Sequence, residues 1–219
     1  MKNIIIAIDG PAGSGKGTVT DIIAKKLNLI SIDTGATYRC IALNAIRNNI
    51  TVEEKEKLIE LTKNTTIEFD ENKNVYLNGE DVTKEIRSKE VSSIVSPISS
   101  YPEIREILVE LQRKMAEGKS VILEGRDATT VIFPNADYKF YLDASLEERV
   151  NRRYLQNKEQ GIEMTKEEIE ENIKQRDYND MNKPVGALKR TEDQIYIDST
   201  NMTIDEVVEE IIKNVKEKW

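Results

Sequence analysis

"IIIAIDGPAGSGKGTV", Ile4 to Val19, joins an apolar run to a glycine-rich loop and the start of a helical pattern that continues to Leu27. The run Ile4–Ile8 is short and wholly apolar, the mark of a strand buried on both faces of a parallel sheet. Gly10-Pro11-Ala12-Gly13-Ser14-Gly15-Lys16 follows it. Its glycines let backbone N–H groups turn inward on a polyphosphate, the helix N-terminus adds partial positive charge, and Lys16 reaches the terminal phosphates. Such a tail has to be held by many donors with no bulky side chain in the way. The pattern G-x-x-x-x-G-K-[ST] is met at every position but the last, where Gly17 replaces the hydroxyl that ordinarily binds Mg²⁺. Gly10, Pro11, Ala12, Gly13, Ser14, Gly15, Lys16, Gly17 and Thr18 are therefore the candidate nucleotide-binding residues.

The alternation continues outward from this loop. A strand at Leu29–Ile32 precedes a helix at about Ala36–Asn48, and strands at Ser120–Leu123, Tyr138–Leu142 and Gln194–Ile197 follow, with a long helical stretch from Ser145. Short apolar strands separated by helices predict an α/β fold, a five-stranded parallel sheet with helices on both faces. The last helix carries Ile204, Val207, Val208, Ile211, Ile212 and Val215 on one face, with Thr203 and Glu206 as a capping box, and should pack at the sheet edge. Residues 66–83 break the pattern. Thr66–Phe69 and Val75–Leu77 read as short strands joined by a polar turn from Asp70 to Asn74, and Asn78-Gly79 makes a second turn. A helix over 102–117, opened by Pro102, returns the chain to the sheet. The expected division is a core of residues 1–50 and 98–219, with a helical lid at about 150–182, and a small β-containing insertion at 51–97.

Composition limits the chemistry. The chain has 219 residues, 33% of them charged, a net charge of −8, one cysteine and no histidine. Excess negative charge argues against a general nucleic-acid binder. The missing imidazoles remove histidine acid–base catalysis and most transition-metal sites, and Cys40 alone forms neither an intrachain disulfide nor a Cys-rich zinc site. Cys40 reads as a small apolar helix residue. The apolar run behind the first lysine is too short for a signal peptide and no run approaches membrane-spanning length, so a cytoplasmic protein is expected, without membrane or nucleic-acid partners. Asn64-Thr65-Thr66 and Asn201-Met202-Thr203 are then chance matches to a glycosylation pattern. No long apolar stripe is left over, so a monomer is expected.

Three further groups stand out, the first two where a sheet of this kind binds ligands, outside the carboxyl ends of its strands. "DTGATYR" (Asp33–Arg39) places Thr34 at a strand end and Arg39 in the following helix. "GRD" (Gly125–Asp127) places a guanidinium suited to clamping a phosphate, and a carboxylate able to accept from an exocyclic amine, after the strand at 120–123. Arg149, Arg152 and Arg153, at i, i+3 and i+4, bring at least two cations to one helix face. Ordinary capping and solvated ion pairs would account for each of these alone, and so would pairing of the arginines with Glu147 and Glu148.

The Gly-Lys-Gly-Thr ending of the loop resembles nucleoside monophosphate kinases. Over nearly its whole length the chain resembles the bacterial cytidylate kinases, through "DTGATYR", "NGEDVTKEIR" (Asn78–Arg87), "GRDATTVIFP" (Gly125–Pro134), "LDASLEERVNRR" (Leu142–Arg153), "QRDYND" (Gln175–Asp180) and "IDSTNMTIDEVV" (Ile197–Val208). The resemblance implies phosphoryl transfer from ATP to CMP and dCMP, a P-loop NTPase-like fold, and closure of a lid over the substrates. It assigns Arg39 and Arg126 to the acceptor phosphate, Thr34, Arg105, Asp127 and Lys183 to cytosine, and Ser96, Arg176 and Asp180 to the ribose. Lys16 with Arg149, Arg152 and Arg153 would serve ATP and the transferred group. Mg²⁺ would be held mainly by ATP phosphates and water. The insertion would be the family's monophosphate-binding domain. Four positions depart from the family pattern: Lys183 for Arg, Ala128-Thr129 for a pair ending in Gly, Glu124 for Asp, and Gly186-Ala187-Leu188 for Ala-Pro-Leu. Another monophosphate kinase acting on AMP or UMP, or an ATP-binding regulator without turnover, are the alternatives.

Overall fold

The computed structural model describes residues 3–70, 73–159 and 161–216. The elements in chain order are β1 (Ile5–Asp9), α1 (Lys16–Leu27), β2 (Ile30–Asp33), α2 (Thr34–Arg47), α3 (Lys55–Lys63), β3 (Ile67–Phe69), β4 (Val75–Leu77), β5 (Glu80–Asp81), α4 (Lys89–Ile98), α5 (Pro102–Ala116), β6 (Val121–Gly125), β7 (Tyr138–Asp143), α6 (Leu146–Glu159), α7 (Lys166–Met181), β8 (Ile195–Asp198) and α8 (Ile204–Lys216). They fall into two compact units, residues 1–31 with 119–219, and residues 32–118.

The first unit carries a sheet of order β2-β6-β1-β7-β8, with β1 parallel to β6 and β7 and β7 parallel to β8. Ile30 at the start of β2 donates its N–H to the Ser120 carbonyl at 3.0 Å. One face is covered by α1 and α8. Ile6, Ile8, Phe140 and Leu142 from the central strands pack with Val19 and Ile23 of α1 and Val208 and Ile211 of α8. The last helix therefore lies over a face, beside α1, rather than at the edge expected for it. Its capping box is present: the Thr203 N–H donates to Glu206 Oε2 at 2.8 Å and the Glu206 N–H to Thr203 Oγ1 at 3.2 Å. The helical stretch from Ser145 is two helices. Gly161, at φ 68°, lies between them, and Thr165 opens α7 with a second capping box to Glu168. Val150, Ile169 and Ile173 close the α6–α7 pair.

The second unit holds α2 to α5 and an antiparallel sheet β3-β4-β5. It is wider than the 51–97 insertion expected, because one core runs from Ile41 and Ala42 of α2 through Leu58, Leu77 and Ile86 to Ile104 and Leu108 of α5. Asn78 and Gly79 have φ of 51° and 85°, the left-handed pair that a two-residue hairpin turn requires. The turn between β3 and β4 is closed by the Asp70 N–H to the Asn74 carbonyl at 3.1 Å; Glu71 and Asn72 within it lie outside the described residues. Among the described residues no helix is long and apolar enough to cross a membrane.

Candidate active site

β1 delivers Asp9 and Gly10 to the carboxyl edge of its sheet. Gly10 is at φ 154°, and a Cβ on it would stand 2.0 Å from the Leu142 carbonyl oxygen near the end of β7. No flexible side chain is there to yield, so Gly10→Ala is expected to cost about 3 kcal/mol or more. In a chain of this size that lowers the melting temperature by about 6–12 °C. An unchanged melting temperature would show that the loop can move away from β7.

Gly15, at φ 88°, is the N-cap of α1, and no side chain caps this helix among the described residues. Its first N–H groups are therefore open to an anion. Lys16 is buried, and its Nζ donates to the Pro11 carbonyl at 2.8 Å and to Ser14 Oγ at 3.2 Å. Burial, reinforced by the Arg126 and Arg176 charges and opposed by Glu124 and Asp9, pushes this amine down to about 7. A Cβ on Gly17 would lie 3.6 Å from Glu124 Oε1, an ordinary contact. The side of the loop without a metal-binding hydroxyl is thus faced by a carboxylate. Gly13 and Thr18 are exposed.

The turn after β6 carries Arg126 and Asp127. Arg126 Nε donates to Asp180 Oδ2 at 2.7 Å, and Lys183 Nζ donates to Asp180 Oδ1 at 2.8 Å. Burial disfavours the Asp180 charge, but Arg126 and Lys183 outweigh it and hold the carboxyl at about 2. Lys183 thus reaches Asp180, one turn back in the chain, through a single ammonium. Asp127 is buried, and its carbonyl accepts from the N–H groups of Val131 and Ile132. Arg176 is exposed on α7, within electrostatic range of Lys16 and Asp180.

The three arginines of α6 do not act as one cluster. Arg149 is buried, its Nη1 donating to Asp177 Oδ2 at 2.5 Å and to the Ala12 carbonyl at 3.0 Å, and its Nε to the Ala144 carbonyl at 3.1 Å. Arg152 donates to the Ser14 carbonyl at 3.2 Å and the Ser199 carbonyl at 2.6 Å, and pairs with Glu148 at 2.8 Å. Arg153 is exposed and bonds to Gln156, one turn on. The i, i+3 pair faces the loop and the i+4 member does not.

In the second unit Asp33 caps α2 by accepting from the Ala36 N–H at 3.0 Å. Thr34 is buried, and its carbonyl accepts from Thr37 Oγ1 at 2.7 Å. Arg39 Nη1 donates to the Ile86 carbonyl and Ser92 Oγ at 3.1 and 2.9 Å. Arg105 is buried over the Tyr38 ring, 5.3 Å from its centroid, and donates to the Ser99 carbonyl at 3.0 Å. Ser96 is half-buried on α4.

Sequence reading passed over Asp9 and Asp177. Asp9 is fully buried and takes the N–H groups of Ala128 and Thr129 at 2.7 and 3.0 Å. Asp177 accepts from the Ala12 N–H at 3.3 Å as well as from Arg149. A carboxylate ending an apolar strand is a signal for Asp9; Asp177 lay inside the quoted "QRDYND" with no feature to separate it from its neighbours.

A family model described as cytidylate kinase matches residues 6–217. A cytidylate kinase of Caldanaerobacter subterraneus subsp. tengcongensis is 48% identical over 96% of this chain and 94% of its own length. One from Clostridioides difficile is 45% identical over 98% and 99%. Among solved structures, an uncharacterized protein from Eubacterium ventriosum superposes with a TM-score of 0.56 at 16% identity, over 99% of this chain and 100% of that one, a likeness of fold alone. With a glycine loop opening an uncapped helix, an arginine and a lysine on one buried carboxylate, and this match from end to end, the chain belongs to the cytidylate kinase family.

Proposed function

We propose that this chain transfers the γ-phosphoryl group of ATP to CMP, and to dCMP, giving ADP and CDP or dCDP. The family match over residues 6–217 carries the reading. The site chemistry agrees with it. The acceptor is already a phosphate anion, so the reaction needs little from a general base, and catalysis becomes positioning and charge neutralisation around a loose in-line transition state. The N–H groups of the loop and of the α1 N-terminus hold the donor phosphates, with Lys16 on the terminal ones. Arg126, held by Asp180, and Arg39 take the acceptor phosphate. Thr34, Arg105, Asp127 and Lys183 recognise the base, and Ser96, Arg176 and Asp180 the ribose. Glu124, the carboxylate that faces Gly17, is the loop-side residue that would stand near a Mg²⁺ ion, which would be held mainly by phosphate oxygens and water and would neutralise phosphate charge. The chain works as a cytoplasmic monomer.

The test is ADP release with ATP, Mg²⁺ and, separately, CMP, dCMP, UMP and AMP. Preference for CMP and dCMP is the expected result. Preference for UMP or AMP would mean a base pocket altered around Lys183, and ATP binding without turnover of any of the four would make the chain a nucleotide-binding regulator.

Lys16 gives a second test. Its amine lies near 7 in the protein alone, so at pH 8.5 it is mostly neutral, and a triphosphate beside it restores an ordinary lysine value of about 10. ATP binding is therefore expected to take up close to one proton per site at pH 8.5 and almost none from Lys16 at pH 6. Calorimetry in buffers of different ionisation heat reads this, with Lys16→Met as the control. Equal uptake by the variant would rule out Lys16 as the source.

A further inference from the structure

Thr129 occupies a position where the family pattern has Gly. It lies in the single wide helical turn Ala128–Ile132 that follows Arg126 and Asp127, and it is 1% exposed. Its hydroxyl donates to Asp9 Oδ2 at 2.5 Å, alongside its own N–H at 3.0 Å, and accepts from Gln194 Nε2 at 2.5 Å. Gln194 in turn accepts from the Thr191 N–H at 2.7 Å, immediately before β8. Asp9 stands next to Gly10, the first residue of the phosphate loop. One buried carboxylate therefore joins the root of that loop to the root of the turn bearing Arg126, and the Thr129 hydroxyl extends the link to the strand after next. A glycine would keep both N–H bonds to Asp9. It would drop the hydroxyl bond and leave the buried Gln194 amide without this partner, a loss that is costly in a dry interior.

We propose that Thr129 is a positioning residue of this chain. Through Asp9 and Gln194 it fixes where the Arg126–Asp127 turn stands relative to the phosphate loop, and so where the acceptor phosphate is held. The inference rests on Arg126 binding that phosphate. A shift of the turn of the order of 1 Å can cost about 10²-fold in rate, so loss of one of its anchors should be felt on the acceptor side and spared on the donor side.

The experiment compares Thr129→Val, which keeps the shape and removes the hydroxyl, with Thr129→Ser, which keeps the hydroxyl, and with Thr129→Gly. For each, kcat and KM are measured for CMP and for ATP, together with the rise in melting temperature given by CMP and by ATP separately. In Thr129→Val and Thr129→Gly, kcat/KM for CMP is expected to fall about tenfold or more and the CMP-induced rise to shrink, with ATP values within twofold of the parent. Thr129→Ser should restore both. If the variants melt earlier while kcat/KM for CMP is unchanged, or lose ATP and CMP affinity alike, the positioning role is wrong. A variant too unstable to assay leaves the Ser and Gly pair to decide: equal CMP kinetics in those two would overturn the proposal. Absence of CMP turnover in the parent chain would defeat the functional reading itself, an outcome distinct from unchanged variants of an active parent.

Discussion

Arg126→Ala is expected to lower CMP turnover by about 10³-fold while the protein remains folded. Arg126 leaves the end of β6 with its Nε on Asp180 and 17% of its side chain exposed, which fixes one edge of the guanidinium and keeps the rest accessible. An arginine held this way is already oriented for a phosphate, so its contribution comes without reorganisation during the reaction. The stability cost is smaller. Asp180 lies at about 2 in the folded protein against an ordinary 3.8. A carboxyl lowered on folding stabilises above its unfolded value and loses that contribution as pH falls toward 2; at one unit per 1.36 kcal/mol the whole effect is roughly 2 kcal/mol. Lys183 keeps part of it in the variant, so the melting temperature should fall by no more than about 4–8 °C at pH 7, and the difference from the parent should close as pH falls toward 2. Kinetics and melting on the same preparation check both halves. Turnover near the parent's would remove Arg126 from the reaction, and a stability loss far above this would make it chiefly structural.

What was legible in the sequence is what local pattern determines. Lys16 and Leu27 bound α1 as the loop and its apolar spacing predict, and the last helix begins behind its Thr203 box. Elements without such patterns were missed. β5 is two exposed acidic residues, Glu80 and Asp81, recognisable only by their pairing with Tyr76 and Leu77. α4 is rich in Ser and β-branched residues and contains Pro97, a composition that argues against a helix until Val91 and Ile98 are buried. The site shows the same limit. Spacing places Arg149 and Arg152 on one helix face, but what covers that face depends on α7, which begins at Lys166, seventeen residues after Arg149. Thr129 reads as a departure from the family; only the fold puts Asp9 and Gln194 on either side of it.

Asp177→Ala is expected to destabilise the protein by about 3–5 kcal/mol, a fall of about 6–20 °C in melting temperature, and to weaken ATP more than CMP. Arg149 and Asp177 hold the backbone of one residue between them: the carboxylate takes the Ala12 N–H and the guanidinium gives to the Ala12 carbonyl. Both side chains are about nine-tenths buried. Removing Asp177 takes away the carboxylate paired with a buried cation and leaves it the Ala12 and Ala144 carbonyls. It also removes one of the two holds on Ala12, so the cradle for the donor phosphates is less firmly fixed. Two roles for Arg149 then separate. As a ligand of the transferring group, its loss would cost turnover heavily and stability little; as the cation of this pair, Arg149→Met should cost stability heavily, and Arg149→Met with Asp177→Leu should recover part of the loss, since apolar replacement of both partners leaves no buried charge behind. Denaturation of the two single variants and the double one gives the coupling. Additive losses would show that the pair is not a unit, and a stable Arg149→Met with collapsed turnover would return Arg149 to the phosphoryl group.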